Sequence, residues 1–148
     1  MQGVVYSANR LEDIHESAIK VHAQRDAYLR ERDCYHRLTD REVIRIQGLA
    51  VPRLLGTDDE LLAIEMALVH PPFVLDFGGA YLDQPPSHML DPEIRSNWLA
   101  EKQEQFAENW SKVESILDEL QRRYEIFVAD VNPGNIQFKP QLSIRSNT

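Results

Sequence analysis

Between residues 70 and 89 the chain carries four prolines, Pro71, Pro72, Pro85 and Pro86, and the pair Gly78-Gly79. No long helix or strand survives such a stretch, because each proline fixes φ and removes a backbone donor while paired glycines raise the cost of ordering. Regular structure must therefore be built in two parts, one on either side of a broken connector. With 148 residues in all, these are two small lobes with little room for further domains. The expected partition is 1–68, a connector at 69–90 with one helical turn at FVLDF, and 91–148.

The front part favours strands. Residues 3–8 and 16–22 are short β-favouring segments separated by a polar stretch, which predicts a hairpin with a long connection. From 24 to 38 helix formers dominate, and Tyr28, Leu29, Arg32, Tyr35 and Leu38 recur at the three- and four-residue intervals of an amphipathic helix. Gly48 closes the next stretch. Strands near 52–56 and 60–68 follow, with Gly56-Thr57-Asp58-Asp59 as the turn between them. Behind the connector, Asp91-Pro92-Glu93 is a helix start, an N-cap acceptor followed by proline at the first helical position. A single helix is expected from there to Tyr124, burying Ile94, Trp98, Phe106, Trp110, Val113, Leu117, Leu120 and Tyr124. Short strands then flank a turn-rich loop, and the class is α+β.

Charge and cysteine usage narrow the function classes. Sixteen Lys and Arg against 24 Asp and Glu give a net charge of −8, which repels phosphate backbones and anionic lipid, so neither nucleic acid nor a membrane surface is an expected partner. Cys34 is the single cysteine, which excludes an internal disulfide framework and suits a reducing, cytoplasmic compartment. No signal peptide and no 18-residue apolar stretch is present in the sequence. The five histidines are scattered without a metal-ligand spacing and read as structural or solvent-facing. Cys34 stands among Arg30, Arg32 and Arg37, whose charges would favour its thiolate, yet it reads as a plain structural cysteine.

The chemistry concentrates in FVADVNPGNIQF, residues 127–138. Asp130 ends an apolar strand and Asn135 follows five residues later, across a loop stiffened by Pro133 and loosened by Gly134. A carboxylate and an amide oxygen can then converge on one point. In a phosphotransferase such a pair lets the aspartate orient or deprotonate an attacking hydroxyl while the asparagine oxygen meets a divalent ion on the phosphates.

Asp130-Val131-Asn132-Pro133-Gly134-Asn135 resembles the catalytic loop of the protein kinase-like superfamily, Asp-x-x-Pro-x-Asn followed by a short strand. The resemblance extends through the chain in order. Gly3-Val4-Val5-Tyr6 is similar to the end of the glycine-rich loop, and Ser17-Ala18-Ile19-Lys20-Val21 to the strand bearing the nucleotide-binding lysine. Lys20 is then the candidate lysine and Glu31, eleven residues on, the glutamate that holds it against the α- and β-phosphates. Glu65-Met66-Ala67 looks like the hinge. The resemblance implies a two-lobed fold, a small antiparallel sheet with one helix plus a reduced helical lobe. It also implies ATP with Mg2+ as ligands, Asp130 as catalytic residue, Asn135 as metal ligand, and Lys20, Glu31, Glu65, Met66 and Ala67 around the nucleotide.

The pattern is incomplete. Asp76-Phe77-Gly78 spells the family's metal-binding triplet but stands before the loop instead of after it, and reads as a coincidence of the connector. No second metal carboxylate follows Asn135 at the family's distance. Two expectations therefore stand side by side: phosphotransfer from ATP to a hydroxyl acceptor, and an inactive pseudokinase-like module that binds nucleotide or a protein partner.

Overall fold

A computed structural model of the chain describes residues 4–9, 16–68, 74–75 and 77–137. It is α+β. Strands β1 (Val4–Asn9) and β2 (Glu16–Val21) form the expected antiparallel hairpin, and helix α1 (Arg25–Asp40) follows after three residues. Two-residue strands β3 (Arg45–Ile46) and β4 (Leu49–Ala50) come next, then β5 (Leu54–Asp58) and β6 (Ala63–Ala67). The first sheet has the order β1-β2-β6-β5 and is antiparallel throughout, with Lys20 opposite Val5 on one side and Ile64 on the other.

On β2 the alternation puts Ala18, Lys20 and His22 on one buried face, and Ile64 and Met66 of β6 share it. Helix α1 covers that face with Tyr28, Glu31, Cys34, Tyr35 and Leu38. The buried stripe is thus rotated from the one expected: Glu31 and Cys34 are inside, while Arg32 sits at the edge, paired with Asp33 and Asp59. Burying a carboxylate in place of an arginine is permitted because the sheet supplies its partners, described below.

Three local expectations need correction. Gly48 does not end a stretch but, with Gln47, makes the two-residue turn of the β3-β4 hairpin, φ being +49° and +86° at the two positions. Two consecutive positive φ values are what a right-twisted two-residue hairpin requires. The later turn falls at 59–62 instead of 56–59, because the Asp58 carboxylate accepts from the backbone N–H of Glu60 and Leu61, both at 3.0 Å, and fixes the bend beyond itself. Residues of FVLDF include a strand, β7 (Val74–Leu75), in place of a helical turn; pairing with neighbouring strands wins over local preference there.

That strand belongs to a second sheet with β10 (Ile136–Gln137), in the order β10-β7-β4-β3. A third, two-stranded ladder joins β8 (Ala80–Leu82) to β9 (Ile126–Val128), Ala80 opposite Val128 and Leu82 opposite Ile126. The connector is therefore woven into both halves of the chain.

The expected long helix is two. Helix α2 (Pro92–Phe106) is capped by Asp91, whose Oδ1 accepts from Glu93 N and Ile94 N, and a short 3₁₀ turn leads into α3 (Trp110–Tyr124). The break lies at Ala107, φ +48°. Nothing local demands it, since Ala is the best helix former. The cause is tertiary: in a straight helix Trp98 and Trp110 would be about 18 Å apart, whereas their rings meet edge-to-face at 6.5 Å, with Phe106 against Trp110 at 6.4 Å. Folding back buries three large rings, each contributing on the order of 2 kcal/mol. Val113, Ile116 and Leu120 of α3 and Ile126 of β9 complete this core, while Ile94, expected inside, is 43% exposed.

Candidate functional site

Lys20 reaches Glu31. Its Nζ lies 2.9 Å from Glu31 Oε1, with the two side chains 5% and 1% exposed. The separation of eleven residues closes because only residues 22–24 lie between β2 and α1, so Glu31 arrives in the second turn directly over the strand. The second carboxylate oxygen is also held: His22 Nε2 lies 2.6 Å from Oε2. Burial alone would raise the Glu31 carboxyl above its ordinary range, but the His22 hydrogen bond and the charge and hydrogen bond of Lys20 more than reverse this and leave it lowered.

His22 is the functional-site residue that the sequence reading missed. Its signal was present: two residues beyond Lys20 on a strand, it must share that lysine's face. Cys34 is the expected plain structural cysteine, fully buried in the core. Burial, with Glu31's negative charge as the next cause, pushes its thiol up to about 12, so the nearby arginines do not make it a thiolate.

Glu65, Met66 and Ala67 are ladder residues of β6, paired on one side with β2 and at Glu65 and Met66 on the other with β5. Glu65 Oε1 accepts from Ser17 Oγ at 2.9 Å, Met66 is buried, and Ala67 N donates to Arg53 O at 2.8 Å. Met66 thus faces the core beneath α1, while Glu65 and Ala67 lie half-buried on the opposite face of the sheet.

Asp130 and Asn135 are brought together. Asn135 Nδ2 donates to Asp130 O at 2.9 Å and to Asp130 Oδ2 at 3.2 Å. Asn132, not singled out from sequence, organises the loop: its Nδ2 donates to Asp130 Oδ1 at 3.2 Å and its Oδ1 accepts from Gly134 N and Asn135 N at 2.9 and 3.1 Å. Gly79 lies against the aspartate, and a Cβ placed there would stand 2.8 Å from Asp130 Cβ. Its φ of +74° independently favours glycine. Asp76 of the triplet falls outside the described residues. Phe77, beside it, is fully buried with its ring edge-to-face to Tyr35 at 5.6 Å.

These groups form two pairs on different sheets, and α1 connects them. It carries Glu31, and from its other side Arg30 stacks over the Tyr81 ring of β8 at 4.5 Å, the strand whose partner β9 leads into Asp130. A groove of about 740 Å³ lies elsewhere, between α2, α3 and β9; it is lined by Trp98, Trp110, Leu117 and Phe127 among others and stops at Ala129, one residue short of Asp130.

Among the described residues, no three His, Cys, Asp or Glu side chains cluster to hold a metal, and no helix is long and apolar enough to cross a membrane. Asn135 spends its amide protons on Asp130, so its Oδ1 is the polar atom it can turn to a cation. Compared with family models, with curated proteins and with solved structures, the chain matches none.

Proposed function

We propose that the chain is a kinase-like nucleotide-binding protein in which Lys20 meets the α- and β-phosphates of ATP and Asp130 orients a hydroxyl acceptor for phosphotransfer. The observation that supports it best is the buried contact between Lys20 and Glu31. A buried lysine fixed by a carboxylate presents its charge at a set position, whereas a lone lysine in solvent sweeps a large volume. Glu31 is the positioning group in this reading, and Glu65, Met66 and Ala67 lie on the strand that would lead to the adenine. Magnesium brought in on the triphosphate would neutralise phosphate charge. Asn135 Oδ1 is the oxygen this loop offers it, sufficient only with phosphates and water completing the shell.

A second reading, an inactive nucleotide- or protein-binding module, is favoured by one feature of the loop. Each Asp130 carboxylate oxygen accepts a hydrogen bond from within the loop, from Asn132 and from Asn135. Both oxygens are thus already occupied before an acceptor hydroxyl arrives.

Calorimetric titration with ATP, with and without Mg2+, followed by a phosphate-transfer assay, separates the readings. The expected pattern is binding lost in Lys20→Met, weakened about threefold in Asn135→Ala and unchanged in Asp130→Asn, which loses only transfer. Equal ATP affinity in the wild type and Lys20→Met refutes both forms of the proposal that use the lysine.

A further inference from the structure

Glu31 is held at both oxygens, and the two holders differ in kind. Lys20 Nζ takes Oε1 at 2.9 Å, and His22 Nε2 takes Oε2 at 2.6 Å, the histidine side chain being 4% exposed. At 2.6 Å nitrogen and oxygen are in close polar contact, although the ring N–H is not aligned on the oxygen as a hydrogen bond requires. His22 is itself fixed: its backbone N–H donates to Leu62 O at 2.9 Å, and its ring meets that of Tyr28 edge-to-face at 6.1 Å. The titratable groups around it among the described residues are Lys20 on its own strand and, from α1, Glu31 and Tyr28, whose hydroxyl is bound to Asp59. Its Nδ1 is buried with no hydrogen-bond partner among the described residues, and neither Nε2 nor Glu31 Oε2 has an aligned hydrogen bond. Nε2 is the ring nitrogen that faces Glu31, held there by proximity and burial.

We infer that His22 is the positioning residue of this site, keeping a polar partner beside Glu31 when Lys20 turns part of its ammonium toward phosphate. The inference rests on the reading of Lys20 as a phosphate-binding group and adds a requirement to it. If Lys20 were Glu31's sole partner, each step of the ammonium toward a ligand would leave a buried carboxylate unpaired, and that penalty would be subtracted from ligand affinity. The histidine removes the penalty. It sits one residue beyond β2, fixed by its backbone bond to Leu62, and stays when the lysine moves.

Two variants and one spectrum test this. In the wild-type chain, long-range 1H–15N correlation of the imidazole is expected to show Nε2 protonated and Nδ1 bare, with the Nε2 signal moving in Glu31→Gln. Titration with a fluorescent ATP analogue is expected to give His22→Leu an affinity lower by about tenfold, whereas His22→Gln, whose amide can still donate to Oε2, stays within about threefold of wild type. A bare Nε2 in the wild type overturns the inference even if His22→Leu fails to fold. So does a folded His22→Leu that binds as tightly as wild type while Lys20→Met does not bind, an outcome that leaves the functional reading standing. Loss of the functional reading looks different: wild type and Lys20→Met would then be indistinguishable in the titration, and the inference would fall with it.

Discussion

Arg37 Nη1 lies 2.9 Å from Asp83 Oδ1 and 3.0 Å from the Tyr124 carbonyl oxygen, so one guanidinium joins α1 to the end of β8 and to the C-terminus of α3. Arg41, one turn on, donates to Arg123 O at 2.9 Å. The carbonyls at the end of α3 have no partner within their own helix, and two arginines from α1 supply them. The helix that carries Glu31 is thereby docked on the part of the chain that carries Asp130.

Arg37→Ala should lower the midpoint of thermal unfolding by roughly 2–5 °C, the range for losing a half-exposed bridge that also caps a helix. Differential scanning calorimetry reads this. An unchanged midpoint would mean the bridge contributes nothing.

Glu31→Ala should cost about 3 kcal/mol or more in urea unfolding at pH 7, since it leaves Lys20 buried without its carboxylate. The double variant Lys20→Met/Glu31→Leu should cost less than the sum of the single changes, because the buried charges leave together. Strict additivity would show that the two side chains do not interact.

Stability should also depend on Glu31 through pH. Its carboxyl lies below the ordinary value in the folded chain, so as the medium is acidified the unfolded chain takes up the proton first. The stability Glu31 contributes is therefore complete above the ordinary carboxylate range and is lost as pH falls through the folded value. Measured by urea unfolding from pH 7 to pH 3, the gap between wild type and Glu31→Gln should narrow steadily with acid. Asp59 and Asp83, also lowered, chiefly by their hydrogen bonds to Tyr28 and Arg37, are common to both chains and cancel in that difference. A gap that widens in acid contradicts the assignment.

Gly79→Ala should destabilise by about 1–3 kcal/mol, combining a strained positive φ with a close approach to backbone-anchored Asp130. Nuclear magnetic resonance should show its shifts concentrated at Asp130, Asn132 and Asn135. Shifts confined to the immediate neighbours of residue 79 would mean that the loop is not seated on this glycine.

Cys34 should not react with Ellman's reagent in the native chain and should react at once in denaturant, because its thiol is fully buried and pushed up to about 12 by that burial. Native-state labelling at the rate of a free thiol would be inconsistent with the packing of α1.

The strands that meet through alternation, and one amphipathic helix, were legible in the sequence: β1, β2, α1 and the helix start at Asp91 stand where the pattern places them. So was the Lys20 to Glu31 contact, through the resemblance that pairs a strand lysine with a glutamate of the following helix. What was not legible depends on distant partners. Ala107 breaks a helix against its own preference because Trp98 and Trp110 attract one another across it. Val74 and Leu75 become a strand only because 49–50 and 136–137 offer edges. In the loop, the spacing of Asp130 and Asn135 was visible but Asn132's role was not, since an asparagine that organises a turn and one that merely occupies it look alike in sequence.

The ladder of β8 with β9 has a consequence for how this chain could change. Asp83 N donates to Glu125 O at 2.9 Å, so the two ends of residues 84–124 meet there, while Arg37, Arg41 and Gln47 hold α3 from the side. Everything between is a closed excursion whose ends already sit where a tight turn would put them. Such a segment can lengthen, shorten or be exchanged without re-registering the strands at its base. The α2–α3 unit, with its tryptophan-lined groove, is in this sense an interchangeable cassette mounted on the frame that holds Asp130, and grafting a different helical pair between Asp83 and Glu125 is the design operation that topology permits.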